Sequence, residues 1–502
     1  MNKFIKYCIV LTGIALCSCD ALDLAPTDEY SINNYWKTED QCSRFITGLH
    51  IRLRSRAQNL IRMGELRGGT LKDGYYTSIG QTAGDIAIVS NSLSYASPGI
   101  TGWGGLYNDI LQINHGIESI TAKCGFLSED KRNYFLGQLY GLRAFYYFHL
   151  LRTYGGVPLE ERAEALGDFS SINSLNKARS TERETMQLVR DDIERSVTAF
   201  EADKFTKPKG TIYWTKTATH LLRAEICLWS AKVKPIGESK VFSENPAEDL
   251  ATALESLEAI ENAAAPMDDF DHIFREEYKD NNEIIFAIRY LFGEAQNFYN
   301  EYIYPAASFT GFEDADGNPL DDPYQTAGGV MKYEYKMSIY DGWDDGDQRK
   351  HKTLFYFQKP TAGIRGTFLV KFIGTMHGDV RSYNDDIPVY RYMDVILDLA
   401  EVHNALGNKD AVKKYIEIVR KRAYGKGFPE FTYTTYEEAE QAILYERKLE
   451  FIAEGKYWYD VRRMNGGAEA MKLVYNAEKK LLWPIDSGVL STDPLVLQTP
   501  GY

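Results

Sequence analysis

The sequence predicts an all-α protein of paired helices interrupted by one irregular lobe, and three stretches of the 502 residues carry that prediction. Gln138 to Arg152 places Tyr140, Ala144, Tyr147, Phe148 and Leu151 at helical spacing, then stops at Gly155-Gly156 and Pro158. Leu397 to Ala423 reads as two helices hinged at Leu406-Gly407-Asn408, with Ala400, Ala405 and Ala411 as small residues where they cross. A helix–turn–helix unit of roughly 34 residues with small crossing residues is the tetratricopeptide signature. From about 266 to 384 the periodicity is lost, and Gly, Pro, Asp and aromatic residues follow one another without a sustained pattern.

The remaining elements follow in order. Apolar residues recur at helical spacing around 39–53, 101–122, 182–200, 211–233, 248–264, 391–405, 409–423 and 437–454. Grouped as they come, these make helix pairs, expected within 34–264 and 391–424. Glu283 to Arg289 (EIIFAIR) is rich in β-branched residues and reads as a short strand inside the lobe. A long irregular stretch with this aromatic density predicts an ordered, functional insert.

The first 24 residues predict where the chain goes. Lys3 and Lys6 form a basic head, and Ile9 to Leu16 is an apolar run far shorter than the roughly 20 residues of a spanning helix. Leu16-Cys17-Ser18-Cys19 resembles a bacterial lipobox, so residues 1–18 are expected to be removed and Cys19 acylated, leaving a mature chain of 19–502 on a membrane surface. An ordinary secretory signal with a chance cysteine is the alternative. Removing 1–18 takes away two lysines and no acid, so the formal charge moves from -14 to -16. That balance argues against nucleic acid as a partner. With 44% hydrophobic and 25% charged residues the chain is expected to fold. Cys42, Cys124 and Cys227 then remain, widely spaced and odd in number. They match neither a disulfide framework nor a zinc pattern, and are expected as small core residues.

Several segments together resemble the SusD/RagB family of outer-membrane lipoproteins. They are Leu22-Asp23-Leu24-Ala25-Pro26 and Asn34 to Asp40 near the start, Trp103 to Asn114 (WGGLYNDILQIN), and Arg143 to Pro158 (RAFYYFHLLRTYGGVP). Near the end come Glu446 to Arg463 (ERKLEFIAEGKYWYDVRR), Trp483-Pro484-Ile485 and Gln498 to Tyr502, with Lys456 where the family usually has Arg. The resemblance spans the whole chain. It implies a SusD-like fold of four tetratricopeptide-like pairs around an irregular, ligand-binding lobe, with C-terminal family motifs in 437–502. It also implies a cell-surface protein, anchored to the outer membrane and facing outward. Such a protein binds glycans and acts as the lid of a SusC-like TonB-dependent transporter, as a binder and not an enzyme. Some relatives serve peptide uptake, which keeps a peptide ligand open.

The same motifs read physically as scaffold. Glu446, Glu450 and Glu454 lie four apart on one helical face, and Arg447 and Arg462 are available partners; such a face could hold a metal or an acid/base pair, but a structural ion-pair network is expected. His149 is expected as a satisfied core histidine. No HExxH, GxSxG, GxxxxGK[ST] or GxGxxG is present, so the common hydrolase and nucleotide signatures are missing. Paired carboxylates of a glycan hydrolase stay open among 71 acids.

Sugar binding needs flat aromatic faces and planar polar groups. From the resemblance, the expected ligand contacts are Arg67, Tyr75, Tyr76, Trp103 and Asn108 in the first third. Tyr299, Asn300, Tyr302, Tyr304, Phe309, Phe312 and Trp343 are expected from the lobe. Asp314, Asp316 and Asn318 have the look of a calcium loop without its twelfth-position glutamate, which is Gln325 here; an Asp/Gly turn is the plainer reading. No cofactor is otherwise expected.

Overall fold

The computed structural model describes residues 35–74, 82–101, 103–164, 175–203, 211–304, 309–326 and 328–502. The signal at 1–18 and the lipidation site Cys19 lie outside the described residues. The principal helices are α1 (Glu39–Arg54), α2 (Ala57–Glu65), α3 (Ala83–Val89), α4 (Trp103–Lys123), α5 (Glu129–Tyr154), α6 (Glu182–Ala199), α7 (Lys216–Lys232), α8 (Pro246–Ile260), α9 (Tyr392–Ala405), α10 (Lys409–Tyr424), α11 (Tyr436–Glu450) and α12 (Tyr457–Arg463). Their starts are set by local chemistry: Thr38, Thr82, Thr181 and Thr435 each close a capping box, satisfying two orphan backbone donors per helix. Among the described residues no helix is long and apolar enough to cross a membrane.

Helices pair antiparallel. Arg143 of α5 reaches Asp192 of α6 while Gly137 of α5 meets Phe200 just beyond it, so the two run in opposite directions. The pair α7/α8 is fixed the same way by Arg223 to Ser256, and α9/α10 by the short Leu406–Asn408 turn. Two glycines let α5 approach its neighbours. A Cβ on Gly137 would lie 2.7 Å from the Phe200 ring, and one on Gly141 would lie 2.0 Å from Trp214 Nε1. Trp214, fully buried, uses that nitrogen to donate to Thr219 at 2.8 Å.

The described residues contain more strand than the sequence suggested, most of it in the insert. In chain order the strands are β1 (Leu71–Asp73), β2 (Ile284–Ile288), β3 (Phe312–Glu313), β4 (Pro319–Leu320), β5 (Tyr333–Tyr335), β6 (Leu354–Lys359), β7 (Ile364–Leu369), β8 (Thr375–His377), β9 (Val380–Ser382) and β10 (Ile387–Arg391). They form four small antiparallel sheets, of which the largest has the order β4-β3-β6-β7. Beneath it lies a separate core of Ile303, Tyr304, Phe309, Phe312, Leu320, Met331, Phe357, Phe368 and neighbours. The expected strand at 283–289 is β2, paired with β10 through Ile387↔Ile288.

The expected charge network exists, but with other partners. Helix α11 ends at Glu450, and the following turn carries Ala453 at φ 64°, so Glu454 is presented by a turn and not by the helix face. Arg391 donates to Glu454 at 2.8 and 2.9 Å, to Glu283 at 2.8 Å and to Glu450 at 2.5 Å. Arg349 bonds Glu446, Glu450 and Asp347, while Arg420 takes the other oxygen of Glu446. Lys371 donates to Glu454 at 2.6 Å, and Arg422 pairs with Glu283 and Glu450. Arg447 and Arg462, the partners expected from sequence, instead bond Asp398 and the Arg152 carbonyl. His149 is buried, with Nδ1 3.4 Å from the Tyr459 hydroxyl and Nε2 without a partner, so it is only half satisfied.

Burial pushes the Glu454 carboxyl upward, but Arg391 and Lys371 outweigh it and bring it down to about 2. Glu450 is likewise held well below the usual range, burial being outweighed by Arg422, Arg391 and Arg349. A carboxylate depressed in the folded state contributes stability that is complete above its unfolded value of about 4.5 and is lost as pH falls through the folded value. Thermal melts should therefore show Tm dropping as pH is lowered from about 4.5 toward 2; a flat Tm across that window would contradict the assignment. Arg391→Met leaves three buried carboxylates undercompensated and should cost about 3–5 kcal/mol in urea unfolding. Gly141→Ala drives a methyl into Trp214 and should cost about 1–3 kcal/mol in the same assay.

Candidate functional site

The loops of the first third and the ends of the insert meet at one place. Strand β1 pairs with β5 through Leu71↔Tyr335 and Asp73↔Tyr333, bringing Gly74 against Met331 and Lys332. The Gly74 amide donates to the Lys332 carbonyl at 3.1 Å, and a Cβ on Gly74 would lie 2.0 Å from the Met331 oxygen. On the insert side, Val330, Met331 and Lys332 donate backbone bonds to Asn300, Ile303 and Glu301. The Asn300 amide donates to the Gly328 carbonyl at 2.8 Å. Gly74, Tyr304 and Gly328 thereby lie around one patch.

The floor of the patch is polar and built from paired charges. Glu301 takes Arg62 at 2.5 Å on one oxygen and Lys332 at 3.1 Å on the other, and the Arg62 guanidinium lies over the Tyr333 ring. The Tyr333 hydroxyl donates to Asp85 at 2.5 Å, and Asp85 also closes the cap of α3 with Thr82. Burial would raise the Asp85 carboxyl, yet the bonds from Tyr333 and Thr82 win and lower it.

Helix α3, which supplies Asp85, leads into the loop to α4. Asn91 turns the chain at φ 53° and is clamped by Arg67, whose Nε donates to Asn91 Oδ1 at 2.8 Å while Asn91 Nδ2 donates back to the Arg67 carbonyl at 3.0 Å. Further on, Gly99 packs so closely on Ile88 and Leu93 that a Cβ there would lie 2.5 Å from Ile88. Ser94 and Ser97 exchange backbone hydrogen bonds of 3.2 and 3.1 Å, closing the turn at the tip. That turn holds Tyr95 with 53% of its surface exposed. An exposed aromatic face on an anchored turn can stack on the apolar side of a ring-shaped ligand.

The sequence-expected contacts fare differently. Arg67 is buried: its guanidinium donates to the carbonyls of Lys480, Leu481 and Leu482 and lies 4.5 Å from the Trp458 ring. Burial, without a nearby carboxylate, lowers its pKa to about 10. Trp103 is buried against Tyr107 and Tyr154. Tyr299 stacks on Phe372 at 4.1 Å and donates to the Ala453 carbonyl, and Tyr302 is buried beside Tyr333. Tyr304, Phe309 and Phe312 form the insert's own core, and Trp343 is buried in the main one. The expectation that these eight meet ligand is corrected, because packing leaves them no open face. Asn108 is exposed but holds Arg52 at 3.0 Å, and Asn300 braces Gly328. Tyr75 and Tyr76 lie outside the described residues.

At the expected calcium loop, Asp314 spends its carboxylate on the amides of Asp316 and Asn318 and on the Asn318 side chain, at 2.8 to 2.9 Å. It is a turn held by its first residue. Tyr95 went unread in the sequence, although Ser90 to Gly99 (SNSLSYASPG) is a run of turn-forming residues with one aromatic, the pattern of a displayed ring.

Comparison with known proteins agrees with this architecture. The profile of the SusD family matches residues 363–502, and the profile described as "Starch-binding associating with outer membrane" matches 75–220. SusD-like protein P38 of Formosa agariphila is 26% identical over the full length of both chains. Among more distant solved structures, a laminarin-binding SusD-like protein is 17% identical with a TM-score of 0.72, over 93% of this chain and 100% of that one. The crystal structure of a SusD superfamily protein from Bacteroides fragilis NCTC 9343 is 36% identical with a TM-score of 0.82, covering 93% of this chain and 100% of that one. With its helix pairs, its small-sheet insert and this end-to-end likeness, the chain belongs to the SusD family.

Proposed function

We propose that this protein is a surface-exposed, outer-membrane lipoprotein, anchored through Cys19, that binds glycans and hands them to a SusC-like TonB-dependent transporter as its lid. The observation that carries the glycan half is the exposed ring of Tyr95 on the turn that Ser94 and Ser97 close, in the loop that Asn91 anchors to Arg67. The family description of starch binding and outer-membrane association points the same way, and so does the laminarin-binding neighbour. Binding without cleavage fits the way the two acids at the patch are engaged: Glu301 pairs with Arg62 and Lys332, and Asp85 accepts from Tyr333 and Thr82. The partnership with a transporter and the outward orientation rest on the family likeness and on the lipobox-like Leu16-Cys17-Ser18-Cys19.

The test is affinity electrophoresis of residues 20–502 through gels containing single polysaccharides. Retardation by one of them, weakened about 5–20-fold in Tyr95→Ala through loss of a stacking contact of about 1–2 kcal/mol, is the expected result. Trp103→Ala and Trp343→Ala should instead lower stability, as buried aromatics do, by about 3–5 kcal/mol. Absence of retardation across a broad panel would overturn the glycan reading and favour a peptide ligand.

A further inference from the structure

Cys42 and Cys124 are neighbours in space. Their Sγ atoms lie 3.6 Å apart, thiol against thiol, with both residues completely buried. Cys42 is in the first turns of α1, and Cys124 directly follows the last residue of α4. The two helices run antiparallel, since Arg52 of α1 pairs with Asp109 of α4 at the far end, while the cysteines face one another at the near end. Arg132 donates to the Cys124 carbonyl and the Leu127 amide does the same, so the backbone at that residue is pinned.

We infer that Cys42 and Cys124 are a disulfide-forming pair that stitches the open end of the α1/α4 hairpin in the exported protein. The inference rests on the reading of residues 1–18 as an export signal, because exported chains meet oxidising conditions and cytosolic ones do not. Drawing the sulfurs from 3.6 Å to the ordinary bond length of about 2.05 Å closes a short gap between side chains that already touch. The oxidant is a disulfide of the exported compartment, either a protein dithiol oxidase or a small-molecule disulfide. One cysteine thiolate attacks it, giving a mixed disulfide and one released thiol. The second cysteine then displaces the oxidant's remaining sulfur as a thiol. Two cysteine thiols are oxidised, one oxidant disulfide is reduced, and the two protons end on the oxidant's sulfurs.

Burial decides when this happens. It raises both thiols, Cys42 to about 12 with help from Cys124, so little thiolate exists once the helices have docked. The bond therefore forms while α1 is still closing on α4, and is sealed from reductant afterwards. Its position suits a lipid-anchored chain. Cys42 stands in the first helix of the described residues, so a pull from an anchor at Cys19 would reach α1 at the end where the bridge sits.

The test is a count of free thiols in residues 20–502 refolded with oxidised glutathione, and in the full chain isolated from envelopes. Both are denatured in N-ethylmaleimide and weighed intact. One adduct, at Cys227, with a mass two hydrogens lower is expected in each, against three adducts after prior reduction. Cys42→Ser should show two adducts, at Cys124 and Cys227. Reduction should lower Tm by about 2–5 °C, as loss of a bridge closing a loop of 82 residues would. Three adducts in the refolded protein would overturn the pair itself. Three adducts from envelopes alone would overturn its formation in the cell. Recovery of the chain only from the cytosol would instead count against the export reading, leaving the refolded sample to decide the bridge.

Discussion

The interaction on which the rest of the molecule depends is the buried array of guanidinium and ammonium groups around Glu446, Glu450 and Glu454. Its cations come from separate parts of the chain: Arg349 and Lys371 from the insert, Arg391 from the end of β10, Arg420 and Arg422 from α10. Charges buried this deeply add little net stability over well-packed apolar residues, but removing one partner strands the others. The array therefore acts through exclusion. If α11 slipped by one residue along its axis, the spacing of its glutamates would no longer meet cations that are fixed by other elements. Part of the insert shares the main apolar core with the helices, and these charges set the register in which the two are joined.

The helices were legible because a period of 3.6 persists over 14 residues or more, and α1, α4, α9 and α10 fall within a residue or two of where periodicity placed them. The small sheets were not. Strands such as β1 or β3 have two or three residues, too few to display alternation, and their partners are remote in sequence. The end of α11 was misread for a related reason: Glu454 keeps helical spacing from Glu450, while the backbone has already left the helix at Phe451.

The sequence pointed to the first third and the insert, and β1 and β5 do bring those two regions together. It could not say which aromatic residues face outward, because Tyr304, Phe309 and Phe312 have the same composition whether they line a groove or fill a core. Only the sheet beneath which they pack decides it. Arg67 was misassigned in the same way, since a guanidinium that serves three backbone carbonyls looks in sequence like one awaiting a ligand. Tyr95 drew no attention because it sits in a serine-rich turn sequence, with only Leu93 and Ala96 as apolar neighbours and no helical or alternating period.

The Arg67 clamp has a consequence for the order in which this protein is completed. The turn displaying Tyr95 is held through Asn91 to Arg67, and Arg67 in turn is held by the carbonyls of Lys480, Leu481 and Leu482. A chain that emerges N-terminus first delivers the loop early and its anchor almost last. Helix pairs can collapse as they emerge, but the Tyr95 turn stays unclamped until the C-terminal segment arrives. A truncated or stalled chain thus lacks this clamp even where its helices have folded.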